Sequence, residues 1–226
     1  MGVYFQDDTR EEMMRDLFKL SSVDGRTSAD ATMSINNQLI EFELKTTSDP
    51  SRSVTTVRDF GPEHIAKWKN KHWLIGFYDK GKENPSYFLY GSPKMMESWI
   101  DEKCKYIKPD FLSAKLASDK ISISDMYKVL GKKKFYNYED AYAIQKRQLK
   151  KSEYLKMMDI ENGYSVNKML QIFKQRIEYL IKRGSTLNNP HIPGSYFKDW
   201  ETKITQNHAN RLKKLVKKEL KSSNFS

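Results

Sequence analysis

The chain has 226 residues, 38% of them hydrophobic and 31% charged, with a net charge of +11 and an isoelectric point near 9.4. That length allows one sizeable core or two small ones. No apolar run approaches a membrane span, and the single cysteine, Cys104, excludes an intrachain disulfide and a cysteine-built zinc site. The basic balance points to an anionic partner, nucleic acid first, although a lysine-rich composition raises charge in the same way on any protein. The start, Met1 to Asp7, lacks the basic and apolar regions of a signal peptide, so the expectation is a cytoplasmic protein with no membrane partner.

In chain order, Thr9 to Leu20 reads as a helix, with Thr9 and Glu12 as a capping box and Met13, Met14, Leu17 and Phe18 as its apolar stripe. Asp24-Gly25 is a turn signal. Ala29 to Ile35 and Leu39 to Thr47 predict a hairpin around Asn36-Asn37. Ser48 to Arg58 reads as a loop or irregular strand, and Glu63 to Lys69 as a short helix. His72 to Asp79 reads as a central strand buried on both faces, followed by a strand at Ser86 to Tyr90. Helices are expected over Lys94 to Ile107, Ser124 to Leu130, Tyr138 to Asp159, Ser165 to Lys182 and Tyr196 to Lys221. Gly131 to Lys134 reads as a basic turn, and Gly184 to Gly194 as a loop. No repeat or linker is evident. A single domain over 1–226 is expected, with a core at 1–110 and a helical part at 111–226.

The chemistry concentrates between Asp30 and Lys45. In the second hairpin strand Ile40, Phe42 and Leu44 alternate with Glu41, Glu43 and Lys45, so the two sets take opposite faces. A hairpin brings Asp30 beside Glu43, and two carboxylates with an ammonium then converge on one sheet edge. Two carboxylates suit Mg²⁺, a hard cation that takes oxygen ligands, and the Leu44 carbonyl is an added candidate ligand. Lys45 is placed to deprotonate or orient a water, or to hold charge on a phosphate. Exposed Glu-x-Lys pairs are also ordinary surface features of strands. Asp24 is an alternative first acid, although a turn gives it a structural reason to be there. Glu41 shares the face of Glu43, either as a partner for Lys45 or as a plain solvent-facing residue.

These residues resemble the PD-(D/E)xK nuclease superfamily, with Asp30, Glu43 and Lys45 in the motif positions and Ala29 where a proline often stands. The likeness extends to the EcoRV and HincII group of blunt-cutting type II restriction endonucleases. Leu44 to Thr47 looks like their catalytic strand. His64 to Ala66 and Trp73 to Gly76 look like the helix and strand that follow, and Gly184 to Asp199 like their base-reading loop and the helix behind it. The resemblance covers about the first 90 residues and a block near 184–200. It implies an α/β fold with a mixed central sheet flanked by helices. It also implies Mg²⁺ as cofactor with no organic cofactor, catalytic Asp30, Glu43 and Lys45, and metal ligands Asp30, Glu43 and Leu44. The partner would be double-stranded DNA gripped by a homodimer in a U shape. An extra acid from an N-terminal helix, Glu11, Glu12 or Asp16, is a further candidate.

Thr186, Asn188 and Asn189 are the side-chain types that read A·T pairs, and no arginine lies between Thr186 and Ser195 to read guanine, so an A/T-rich site is the expectation. The same residues also simply make turns. His191 is a base or phosphate candidate. Arg52, Ser53, Thr55, Thr56 and Arg58 follow the catalytic strand, placed to meet phosphates near the cut. Two other functions remain open: a structure-specific repair or recombination nuclease, and a non-catalytic nucleic-acid-binding protein.

Overall fold

The computed structural model describes residues 3–23, 29–57, 61–184 and 189–223. Helix α1 (Val3–Phe18) begins well before Thr9, so Thr9 and Glu12 lie inside the helix instead of capping it. Met14 and Phe18 are fully buried, Met13 packs partly against them, and Leu17 is exposed. Strands β1 (Ala31–Ile35) and β2 (Gln38–Thr47) form the expected antiparallel hairpin. Asn36 and Asn37 have φ of 52° and 62°. A two-residue turn between right-twisted strands needs that left-handed pair, and asparagine tolerates it better than most residues.

The segment after β2 holds strand β3 (Val54–Thr55) and helix α2 (Pro62–Trp68). Strand β4 (His72–Tyr78) is buried at every position, as its unbroken apolar run predicts, and β5 (Pro85–Gly91) pairs beside it. Helix α3 (Pro93–Lys120) runs well past the expected end at Ile107 and contains Pro109. A proline inside a helix forfeits one backbone bond. Burial of Ile107 and Ala114 on either side offsets that loss.

Helix α4 (Ile123–Leu130) is capped by Ser122, whose side chain accepts the Asp125 N–H, and it stops at Gly131 with φ 75°. The single helix expected over Tyr138 to Asp159 is two, α5 (Tyr138–Ile144) and α6 (Lys151–Met157). Lys146 and Arg147, with φ of 53° and 63°, break the run. Helix α7 (Val166–Gly184) follows. Strand β6 (His191–Ile192) and a 3-10 turn (Gly194–Phe197) come next. The last stretch is also not one helix: strand β7 (Lys203–Ile204) precedes helix α8 (His208–Ser223). A two-residue strand carries no periodicity to read.

The fold is α/β. A mixed five-stranded sheet runs β1-β2-β4-β5-β7, with β2 and β4 parallel and the other pairs antiparallel, and helices flank it. Phe42, Leu44, Leu74 and Phe88 share one core with Met14 and Phe18 of α1 and Leu212 and Val216 of α8. Trp68, Trp73 and Trp99 cluster elsewhere, Trp68 and Trp73 edge to face at 4.8 Å between centroids. No described helix is long and apolar enough to cross a membrane.

The chain divides into two compact units, Met1–Cys104 with Leu187–Ser226, and Lys105–Thr186. Residues 187–226 thus group with the sheet residues, and β7 completes the sheet. The helical unit has its own core around Met126, Tyr136, Tyr154, Tyr164 and Ile172.

His72 is buried in the sheet with a ring nitrogen 2.7 Å from the Tyr90 hydroxyl. Burial pushes its pKa from 6.5 down to about 4. The unfolded chain takes up this proton near pH 6.5 and the folded chain only near 4, so stability present above the first value falls as pH drops toward the second. This group contributes at most about 1.4 kcal/mol per pH unit. Urea unfolding across that window should show the loss, and His72→Gln should flatten it; an equally steep variant places the acid sensitivity elsewhere.

Candidate functional site

The hairpin sets the first acid. The Asp30 N–H donates to the Phe42 carbonyl at 3.0 Å, which extends the β1–β2 ladder by one residue and puts Asp30 opposite Glu43. The Leu44 N–H then donates to Asp30 Oδ2 at 2.8 Å. A backbone group of β2 thus holds the carboxylate of Asp30. Glu43 is aligned with Trp73 of β4, so it lies on the second strand, one in from the edge that the sequence suggested.

Glu43 is buried at 5% exposure, yet it carries two ammonium partners. Lys45 Nζ lies 2.9 Å from Oε1 and Lys71 Nζ 2.9 Å from Oε2. Burial pushes the Glu43 carboxyl up, but the two ammoniums outweigh it and hold the pKa below the usual carboxylate value. Burial likewise pulls the Lys45 ammonium down, and the charges of Glu43 and Asp30 outweigh it, leaving its pKa above the ordinary lysine value. Lys71 was not singled out from the sequence. Its signal was available only through register: it stands two residues before Trp73, on the same face as Glu43.

Lys45 Nζ touches three oxygens: Glu43 Oε1, the Leu44 carbonyl at 2.8 Å, and Asp30 Oδ2 at 3.5 Å. These belong to the three residues expected to ligate Mg²⁺. Among the described residues no three His, Cys, Asp or Glu side chains gather closely enough to hold a metal. The donor set here is two carboxylates and a backbone carbonyl, hard oxygens of the kind Mg²⁺ takes alongside water. That the set already surrounds a positive charge is the observation in favour of the fit.

Of the three helical acids, Glu12 and Asp16 are exposed. Glu11 is half-buried and faces the site. Burial, then the nearby Asp30 charge, raises its pKa from 4.5 to about 7. Glu41 is exposed and has the solvent-facing position. Arg10 lies with its guanidinium 4.2 Å from the Tyr78 ring centre.

Arg10, Glu11, Lys45, Thr47, Ser53, Thr55 and Thr56 line one groove of about 490 Å³. Two sequence blocks far apart in the chain meet beside it, because β3 pairs with β6: Val54 with Ile192, and Thr55 with His191. Thr55 Oγ1 is 3.2 Å from His191 Nδ1, both groups exposed. Thr56 is buried and donates to the Pro190 carbonyl at 2.7 Å, so it ties the loops together. Ser53 accepts a bond from Thr47 through its carbonyl. Arg52 is engaged within the protein: its guanidinium donates to the Tyr78 carbonyl and Asp79 at 3.0 and 2.8 Å. Asn189 is exposed with φ 47°. Arg58, Thr186, Asn188 and the alternative acid Asp24 lie outside the described residues.

Gly194 allows this junction. A Cβ there would sit 2.0 Å from the Ser51 carbonyl oxygen, a backbone atom that cannot rotate away.

No protein-family model matches the chain, and no curated protein does.

Lys71→Met leaves the buried Glu43 with one ammonium fewer. A loss of about 3–5 kcal/mol in urea unfolding is expected, with Lys71→Met/Glu43→Gln recovering part of it. Strictly additive losses would show that the pair is not coupled. Gly194→Ala should cost about 1–3 kcal/mol through overpacking, and amide exchange at Thr55 and Thr56 should accelerate; unchanged protection there would mean that the loops part without cost.

Proposed function

We propose that this chain is a Mg²⁺-dependent endonuclease that hydrolyses phosphodiester bonds in double-stranded DNA, built on a PD-(D/E)xK core. The observation that carries the reading is the convergence of Asp30, Glu43 and Lys45 on one face of the hairpin, with Lys45 Nζ 2.9 Å from Glu43 and 3.5 Å from Asp30. Asp30, Glu43 and the Leu44 carbonyl would hold the cation. A bound Mg²⁺ there supplies charge relief at the scissile phosphate and a more acidic water.

The chain's own residues divide the remaining work. Lys71 occupies Glu43 Oε2 and so turns Oε1 toward the site. As a proton-bearing clamp on phosphate charge Lys45 needs no change of protonation state, and that is the role assigned to it. Arg10, Thr55 and His191 stand where a backbone phosphate would pass along the groove. Away from it, α8 displays exposed Arg211, Lys213, Lys214, Lys217, Lys218 and Lys221, lining a second groove of about 900 Å³. That surface adds long-range attraction for a polyanion.

The resemblance near 184–200 extends the proposal to a type II enzyme of a restriction system. It would act as a homodimer at a palindromic, A/T-rich site and leave blunt ends. The position of β6 against β3 supports this, because it sets His191, near the end of the candidate base-reading loop, beside the groove.

Digestion of a long, sequenced duplex with Mg²⁺, with all ends read, tests the proposal. The expected result is discrete fragments sharing one palindrome, no cleavage in EDTA, and at least a thousandfold loss (~4 kcal/mol of barrier) in Glu43→Gln. Tight, salt-sensitive binding without cleavage would sink the nuclease reading and leave a nucleic-acid-binding protein. Cleavage only at junctions or flaps would move it to repair or recombination.

A further inference from the structure

Each of the three oxygens around Lys45 Nζ belongs to a group that has a hold other than Lys45. Asp30 Oδ2 accepts the Leu44 N–H at 2.8 Å. Glu43 is held through its other oxygen by the buried Lys71, at 2.9 Å. The Leu44 carbonyl belongs to a β2 residue whose neighbours are β1 and β4. The cradle is therefore anchored by the sheet and by Lys71, and the Lys45 ammonium is the cation now lying in it.

From this we infer that Lys45 is the cradle's resident cation and that a divalent metal loads by exchange with it, the lysine leaving for the groove. The inference rests on the nuclease reading above and concerns how that same site is regulated. An ammonium sits about 2.8–2.9 Å from its acceptor oxygens, and Mg²⁺ about 2.0–2.1 Å from its ligands. A single oxygen can bridge two cations, but a metal drawing on these same three oxygens would stand only a few ångströms from the ammonium, and the two would repel. Charge leads to the same result. Asp30 and Glu43 are already balanced by Lys45 and Lys71, so a metal gains the full attraction of the carboxylates only when one ammonium withdraws. Lys71 is buried at 2% exposure, whereas Lys45 lines the groove with Arg10 and Thr55. Its four-carbon stem lets the head move while the strand stays fixed.

A consequence is coupling. A phosphate in the groove gives the displaced ammonium a new partner, so DNA should raise metal affinity, and metal should raise DNA affinity by the same factor. The site would then load its metal mainly when substrate is present.

Mn²⁺ binding to the full chain without DNA, followed by calorimetry or by electron paramagnetic resonance of the free ion, tests this. Lys45→Met should bind Mn²⁺ at least tenfold more tightly than the unsubstituted chain, although its cleavage is lost. Lys45→Arg, which keeps a cation in the cradle, should not. A second readout uses the unsubstituted protein: acetylation of Lys45 by a water-soluble active ester, followed by mass spectrometry, should rise severalfold when Mn²⁺ is added. Equal or weaker metal binding by Lys45→Met, or Lys45 acetylation indifferent to Mn²⁺, overturns the exchange and leaves the nuclease reading standing. Absence of Mn²⁺ binding in every form also overturns it. Failure of the nuclease reading would show separately, as absence of Glu43-dependent cleavage in the digestion above.

Discussion

Glu43 lies inside the sheet with almost no exposure, and a lone carboxylate there would be protonated or would unfold the strand. Two ammonium groups share its charge, one on each oxygen. A buried ion pair is seldom a net source of stability, because desolvation of both partners offsets their attraction. Its value here is orientation. Lys71 fixes one oxygen, and the other can point only toward Lys45 and Asp30. The precision of the site follows from that one constraint.

The sheet supplies the rest of the frame. Strand β2 is paired on both sides, antiparallel to β1 and parallel to β4, so neither its register nor its facing can slip. A shift of one residue would exchange Phe42 and Leu44 with Glu43 and Lys45 and empty the core under α1 and α8. Packing on one face therefore fixes the placement of Glu43 and Lys45 on the other. The same logic explains why Asp30, one residue before β1, is as well placed as a strand residue: its N–H joins the ladder, and its carboxylate takes a backbone bond from Leu44.

Around the groove the protein uses backbone contact more than side-chain charge. The β3–β6 pair and the Thr56–Pro190 bond draw together segments more than 130 residues apart in sequence, and Gly194 lets them touch. Arg52, just before β3, braces the end of β4 through Tyr78 and Asp79. Six of the chain's 40 lysines and arginines sit on α8.

The hairpin, the buried central strand and the Asp30, Glu43, Lys45 constellation were legible in the sequence. Alternation of period two and the Asn36-Asn37 turn leave one register in which Ile40, Phe42 and Leu44 are buried. These are local signals, carried by neighbours in the chain. The break between α5 and α6, the length of α3 and the strand β7 were not legible, because each depends on packing that overrides local propensity or is too short to show a period. Lys71, Glu11 and Arg10 at the site, and the joining of residues 54–56 with 190–192, were decided only by the tertiary structure. Nothing in a lysine's own neighbourhood tells whether it will be solvated or buried against a carboxylate. That depends on which strand lies beside it, and strand pairing between distant segments is a property of the folded chain alone.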